Sequence, residues 1–233
     1  MSKTDNQDHG ILAFIINRLL EKSFGIPEPI PAHSNTLESL VLTILSQSTT
    51  DLNSGRAFDN LKKVFSNGSG GIDWEKIVEA PVEKVGQAIR IGGLANQKSE
   101  RIQQVLKWVK DRFGKYDIDS VCWMDPFDAI GLLTKQKGIG VKTVSVVLAF
   151  SCNADIFPVD VHVHRVCKRI GFVGEKDSAE KTFWIMQEIV PKGKAFGMHV
   201  NMIRLGRTVC RPKNPDHEKC PVKKHCEFYL AGR

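Results

Sequence analysis

Apolar residues recur every third or fourth position along most of this chain. ILAFIINRLLEKSF (11–24), TLESLVLTILSQ (36–47) and SGRAFDNLKKVF (54–65) each carry one apolar face at helical spacing. Thr36 stands where a helix cap is expected. The same spacing continues through IDWEKIVEA, PVEKVGQAIRIGG and QKSERIQQVLKWVKDRFG, with Pro81 and Pro126 placed as first-turn prolines. GIPEPIPAH (25–33), with three prolines, reads as a linker, and NGSGG (67–71) as a flexible loop. No segment alternates at period two, and no strand–helix–strand rhythm or long internal repeat is present. The pattern predicts an all-α protein of roughly ten helices.

The chain has 233 residues, 42% of them hydrophobic, enough to bury a sizeable core. No apolar run reaches the ~20 residues needed to cross a bilayer, and the polar start MSKTDNQDHG lacks a signal-peptide pattern. The expected location is cytoplasmic, associated with the nucleoid. A formal charge of +7 favours a polyanionic partner without identifying one. Six cysteines in such a chain are not read as disulfides. Cys122, Cys152 and Cys167 stand alone among apolar residues as core thiols. Cys210, Cys220 and Cys226 cluster instead.

LLTKQKGIGVKTVSVVLAF (132–150) carries a more specific signal. A short helix is expected to end near Lys137, Gly138-Ile139-Gly140 to turn sharply, and a second helix to start near Val141 and bury Val144, Val147 and Leu148. Backbone N–H groups at that helix start attract phosphate. A packed corner between two helices is the plain alternative. The spacing is not that of a Walker-type loop. Farther on, FPVDVHVHR (157–165) sets Asp160 before two histidines.

Taken together, Gln136-Lys137-Gly138-Ile139-Gly140-Val141-Lys142-Thr143-Val144 and Val159-Asp160-Val161-His162-Val163-His164-Arg165 resemble the endonuclease III family of DNA glycosylases, in the helix-hairpin-helix superfamily. Gly93-Leu94-Ala95-Asn96-Gln97-Lys98 resembles that family's G-L-x-N-x-K loop. Phe196 through Cys210 resembles the segment leading into its iron–sulfur loop. The resemblance runs from about residue 11 to 226.

The resemblance implies a two-lobed fold. Residues 31–154 would form a six-helix domain holding the hairpin (132–150). Residues 1–30 and 155–233 would form a second domain carrying a metal loop (210–226). It implies a monomeric base-excision-repair enzyme that removes damaged bases, above all oxidised pyrimidines, from double-stranded DNA and cleaves the abasic site by β-elimination. Lys142 and Asp160 would be the catalytic pair. An amine at Lys142 attacks the sugar carbon, and a carboxylate at Asp160 stabilises the developing cation. To attack, Lys142 must shed a proton, and partial burial together with a helix N-terminus would favour the neutral amine. Taken singly, Lys142 reads as a phosphate-contacting lysine and Asp160 as a helix N-cap.

A base inside a duplex must be flipped out to be processed. The resemblance places Gly138, Ile139, Gly140, Val141 and Thr143 against the DNA backbone, and Leu94 in the vacated stack. The second filler is ambiguous. The family pattern L-S-x-Q-x-x-D appears here as Leu45-Ser46-Gln47-Ser48-Thr49-Thr50-Asp51, so Ser48 holds the filler position and Gln47 sits one place early. A monofunctional glycosylase acting on mismatched or other modified bases, and a non-catalytic DNA-binding module, remain alternative functions.

CRPKNPDHEKCPVKKHC (210–226) matches the family's C-x6-C-x2-C-x5-C spacing, with His217 in the second cysteine position. Cys210, His217, Cys220 and Cys226 are the candidate ligands. A [4Fe–4S] cluster with one imidazole ligand, a structural zinc and a loop without metal all stay open. Between Arg204 and Arg233 eight basic residues face three acidic ones, so the loop carries much of the excess charge.

Overall fold

A computed structural model describes residues 3–29 and 35–232, with side chains from Asp8 onward. The described residues form twelve α-helices, three short 3-10 turns and no strand, with one isolated antiparallel bridge between Ser66 and Ile72. In chain order the helices are α1 (Lys3–Phe24), α2 (Thr36–Leu45), α3 (Asp51–Val64), α4 (Trp74–Glu79), α5 (Val82–Ile89) and α6 (Ala95–Phe113). They continue with α7 (Pro126–Leu133), α8 (Val141–Ser151), α9 (Val161–Ile170), α10 (Ala179–Ile189), α11 (Ala195–Thr208) and α12 (Glu227–Leu230). No described helix is long and apolar enough to cross a membrane.

The chain divides into two compact units, Pro31–Val147 and Met1–Ile30 with Leu148–Arg233. The division on the C-terminal side falls inside α8. The N-terminal division, in the expected linker, falls outside the described residues.

In the first unit α6 is the central packing element. Its residues Lys98, Ser99, Ile102, Val105, Leu106 and Val109 share one buried face at three- and four-residue spacing, against α2, α4 and α5. Burial of each such aliphatic side chain stabilises the fold by about 1.5–3 kcal/mol. Gly114, in the left-handed conformation, ends the helix. Gln103 extends the same face with hydrogen bonds to the carbonyls of Ile77 and Ala80, at 2.8 and 2.7 Å, which satisfy the end of α4.

The helix starts refine the sequence reading. Asn35, not Thr36, caps α2, its Oδ1 accepting from the N–H groups of Leu37 and Glu38. Thr36 is the first helical residue. Its own N–H donates to Asp119 Oδ1 at 3.1 Å. Pro126 is a first-turn proline behind the cap Asp125, whereas Pro81 is itself the N-cap of α5.

In the second unit α9 and α11 pack together, and α1 packs on α10 and α11. Ala13, Ile16 and Leu20 of α1 are fully buried. The Asn201 amide donates to the Gly25 carbonyl just past the end of α1, at 2.9 Å. Cys167 is a free, fully buried thiol, as its apolar surroundings imply. Cys122 and Cys152, in contrast, are not free thiols.

Candidate functional site

The turn between α7 and α8 is longer than the sequence pattern predicts. α7 ends at Leu133, four residues before Lys137, because Thr134 caps it and the chain then turns through Gln136, whose carbonyl accepts from Ile139 N–H at 3.0 Å. α8 starts at Val141 as expected. Ile139 is 3% exposed and anchors the turn from below, with Val144 and Val147 buried behind it. The two glycines do different work. Gly138 has φ +87°, and a Cβ there would collide with the Arg101 guanidinium. Gly140 faces open space, so another backbone can approach it closely. Thr143 is buried like Ile139, so of the five proposed hairpin contacts only Val141 has a side chain that could reach DNA.

Lys142, the second residue of α8, is exposed. The expected partial burial is therefore absent, while its place in the first turn of α8 sets it at the positive end of that helix.

Two more loops of this unit hold the stack-filling candidates. The Gln47 side chain is tied down at both ends: Arg101 Nη1 donates to its Oε1 at 2.6 Å, and its Nε2 donates to Thr143 Oγ1 at 3.4 Å. Ser48, by contrast, is exposed with φ +54°. Leu94, 51% exposed with φ +49°, is the N-cap of α6 rather than a core leucine. Lys98 is 2% exposed, and its Nζ donates to the carbonyls of Leu45 and Gly92, each at 2.7 Å. Burial holds its amine below the usual lysine range.

Asp160 lies in the other unit, as the N-cap of α9. Its Oδ1 accepts from the N–H groups of His162 and Val163, at 2.9 and 2.8 Å. The cap reading is thus correct, and it leaves the carboxylate fixed at the positive end of a helix. The segment before it is braced by two residues that the sequence pattern did not single out. Gln187 bonds both backbone groups of Phe157, at 2.9 Å each, and buried His199 meets the Pro158 carbonyl through Nδ1 at 2.9 Å. Arg165 spans from α9 to the carbonyls of Gly206 and Cys210, and His164 bonds Thr182, so both are structural.

Cys210, His217, Cys220 and Cys226 line one small apolar cavity, together with Val209, Pro215 and Phe228. Burial raises the thiols of Cys220 and Cys226 above the usual cysteine range. Arg169 closes the loop. Its guanidinium reaches Cys210 Sγ at 3.3 Å and the carbonyls of Arg211 and Pro212 at 2.8 and 3.0 Å, and stacks 4.5 Å from the Phe228 ring centroid. Cys226 Sγ donates to the Arg169 carbonyl at 3.0 Å. The His217 ring packs edge-on against Phe228 and Tyr229. Among the described residues no three His, Cys, Asp or Glu side chains converge closely enough to hold a single metal ion. Three thiols and one imidazole around a shared apolar cavity do fit, in kind, the ligands of an iron–sulfur cluster.

Residues 41–192 match the family model of the HhH-GPD superfamily base excision DNA repair proteins. The chain belongs to this family. It is a base-excision DNA glycosylase. Curated relatives include endonuclease III of Sulfolobus acidocaldarius, 32% identical over 84% of this chain and 83% of that protein. Endonuclease III of Thermotoga maritima is 30% identical over 82% of each. Among solved structures, a trapped endonuclease III–DNA covalent intermediate superposes over the full length of both chains with a TM-score of 0.76 at 25% identity. A thermostable thymine-DNA glycosylase shares the fold, with a TM-score of 0.72 at 20% identity over 97% of this chain and 98% of that one. The stretch matched by the family model contains the hairpin turn, Lys142 and Asp160.

Proposed function

We propose that this protein excises oxidised pyrimidines from double-stranded DNA and then cleaves the abasic site as a lyase. The observation that carries this reading is the placement of two residues inside the family-matched stretch: Lys142 at the N-terminus of α8, directly after the glycine turn, and Asp160 locked as the N-cap of α9. The Lys142 amine, once neutral, attacks C1′, and the base departs with the glycosidic electron pair and takes up a proton. The Asp160 carboxylate stabilises positive charge as it grows on the deoxyribose. Loss of a proton from the new C1′ amine breaks the C1′–O4′ bond, and O4′ takes up a proton, leaving a Schiff base at C1′. This imine acidifies the C2′ proton, and its loss expels the 3′ phosphate. Gly140, open to solvent before α8, lets a DNA phosphate approach its own N–H and those of the first turn of that helix.

Cys210, His217, Cys220 and Cys226 would hold a [4Fe–4S] cluster whose role is to pin the basic loop that contacts phosphates. One imidazole among the ligands raises the cluster's potential over an all-thiolate set. The protein would act as a monomer in the cytoplasm, at the nucleoid.

Borohydride trapping on a duplex with a single abasic site tests the lyase. Wild type is expected to form a covalent adduct, Lys142→Ala none, and Asp160→Asn an adduct only on DNA whose base is already gone. No adduct with wild type, alongside retained base excision, would turn the reading to a monofunctional glycosylase. A panel of duplexes, each with one lesion, tests the substrate. Preference for a mismatched base over every oxidised pyrimidine would overturn that part. Iron and sulfide analysis with visible absorbance tests the cluster, and zinc at one per chain without iron would refute it.

A further inference from the structure

Four non-glycine residues among those described have positive φ: Ser48, Leu94, Asn153 and Asn214. Asparagine tolerates this backbone; serine and leucine rarely adopt it, at a cost of roughly 1–2 kcal/mol. Such strain persists only where the surroundings over-determine it. Ser48 and Leu94 are both exposed, and both sit on loops that follow a helix end: Leu45 is the last residue of α2, and Gly92 closes the 3-10 turn Arg90–Gly92.

The carbonyls of Leu45 and Gly92 accept from one and the same group, the Lys98 Nζ. Leu45 lies three residues before Ser48, and Gly92 two before Leu94. Carbonyls at helix ends lack intrahelical partners and carry partial negative charge, which suits an ammonium. A cation 2% exposed in a helical core is otherwise costly. Hydrophobic residues would fill that position on α6 as well, as they do one turn on at Ile102. Arg101 of the same helix holds Gln47, next to Ser48, in place.

Resting on the glycosylase reading above, we propose that Lys98 is a positioning residue. It fixes the separation of the two loops, so that Leu94 and Ser48 enter the base stack as one rigid two-pronged wedge when the damaged nucleotide leaves it. The wedge matters only where a stack must be opened. A lesion already unstacked needs no prying.

The test compares single-turnover excision of thymine glycol from a fully paired duplex and from the centre of a five-nucleotide unpaired bubble. Lys98→Met is expected to slow the paired duplex by about tenfold and the bubble by less than about twofold. A double-mutant cycle with Leu94→Ala, an exposed site, separates wedge from scaffold. If Lys98 acts through the loops, the double variant is no more than about twofold slower than the slower single variant, whereas independent effects multiply. Equal slowing of both substrates, no slowing of either, or multiplicative effects each overturn the proposal while the glycosylase reading stands. Wild type inactive on both substrates refutes the oxidised-pyrimidine reading, and this proposal with it. Lys98→Gln, whose amide still donates, serves if Lys98→Met does not fold. Loss of the helical fold in both, read by circular dichroism, makes Lys98 a stability residue and also overturns the proposal.

Discussion

The hairpin turn and the cysteine loop are both tight, irregular segments next to a helix, and they are built in opposite ways. The hairpin keeps its side chains below and exposes its backbone: Ile139 is buried while Gly140 faces open space. The cysteine loop turns its side chains inward and has its backbone carbonyls covered by Arg169. A surface meant to meet a phosphate needs N–H groups left for the ligand. A loop meant to hold a metal needs its donors gathered and the outside sealed. An arginine serves each. Arg101 lies across Gly138 on the hairpin, and Arg169 locks the cysteine loop.

The strongest blow to this contrast should come from Arg169→Met. It removes charge-assisted bonds to two carbonyls and a thiol, together with the contact to Phe228. Loss of about 3 kcal/mol in denaturant unfolding is expected, along with loss of the iron that the proposed cluster would bring. Stability within 1 kcal/mol of wild type, with iron retained, would mean the loop closes without its clamp.

Gly138→Ala comes next, at about 2 kcal/mol, since it forces a Cβ into the left-handed region and against Arg101. Gly140→Ala sharpens the difference. Its Cβ meets nothing, so stability should change by under about 0.5 kcal/mol while duplex affinity falls several-fold at constant salt. Equal thermal shifts for the two alanines would erase the distinction between a glycine needed by the fold and one needed by the ligand.

The smallest effect concerns pH. Burial lowers the Lys98 amine in the folded protein, while the unfolded chain titrates near ~10.4. Between those values the unfolded chain binds more protons, so the stability of wild type relative to Lys98→Met should rise with pH. Below the folded value the burial penalty is constant. Parallel melting series from pH 7 to 10.5 check this, and a difference independent of pH would show that the amine stays charged throughout.

Much of this was legible before any coordinates. Helical spacing marked the all-α class, Gly138-Ile139-Gly140 marked the start of α8, and Asp160 read as a cap because aspartate before an amphipathic run satisfies free N–H groups. Each is a local property, set by residues within one or two turns. Asn35 outcompeted Thr36 as a cap through its side-chain oxygen. α7 stopped early because Thr134 closes it. Lys142 is exposed where burial was expected.

What the sequence by itself determined was the inventory: which segments are helices, where the glycine turn before α8 lies, and which cysteines cluster. The tertiary structure decided what braces them. Lys98 meets a carbonyl 53 positions away, Arg101 a glutamine 54 away, and Arg169 a carbonyl 43 away. No periodicity records such partners, because a charged residue at a core position looks like any surface lysine or arginine until the fold carries it inside. Only there, away from water, does an unpaired carbonyl become costly enough to demand it.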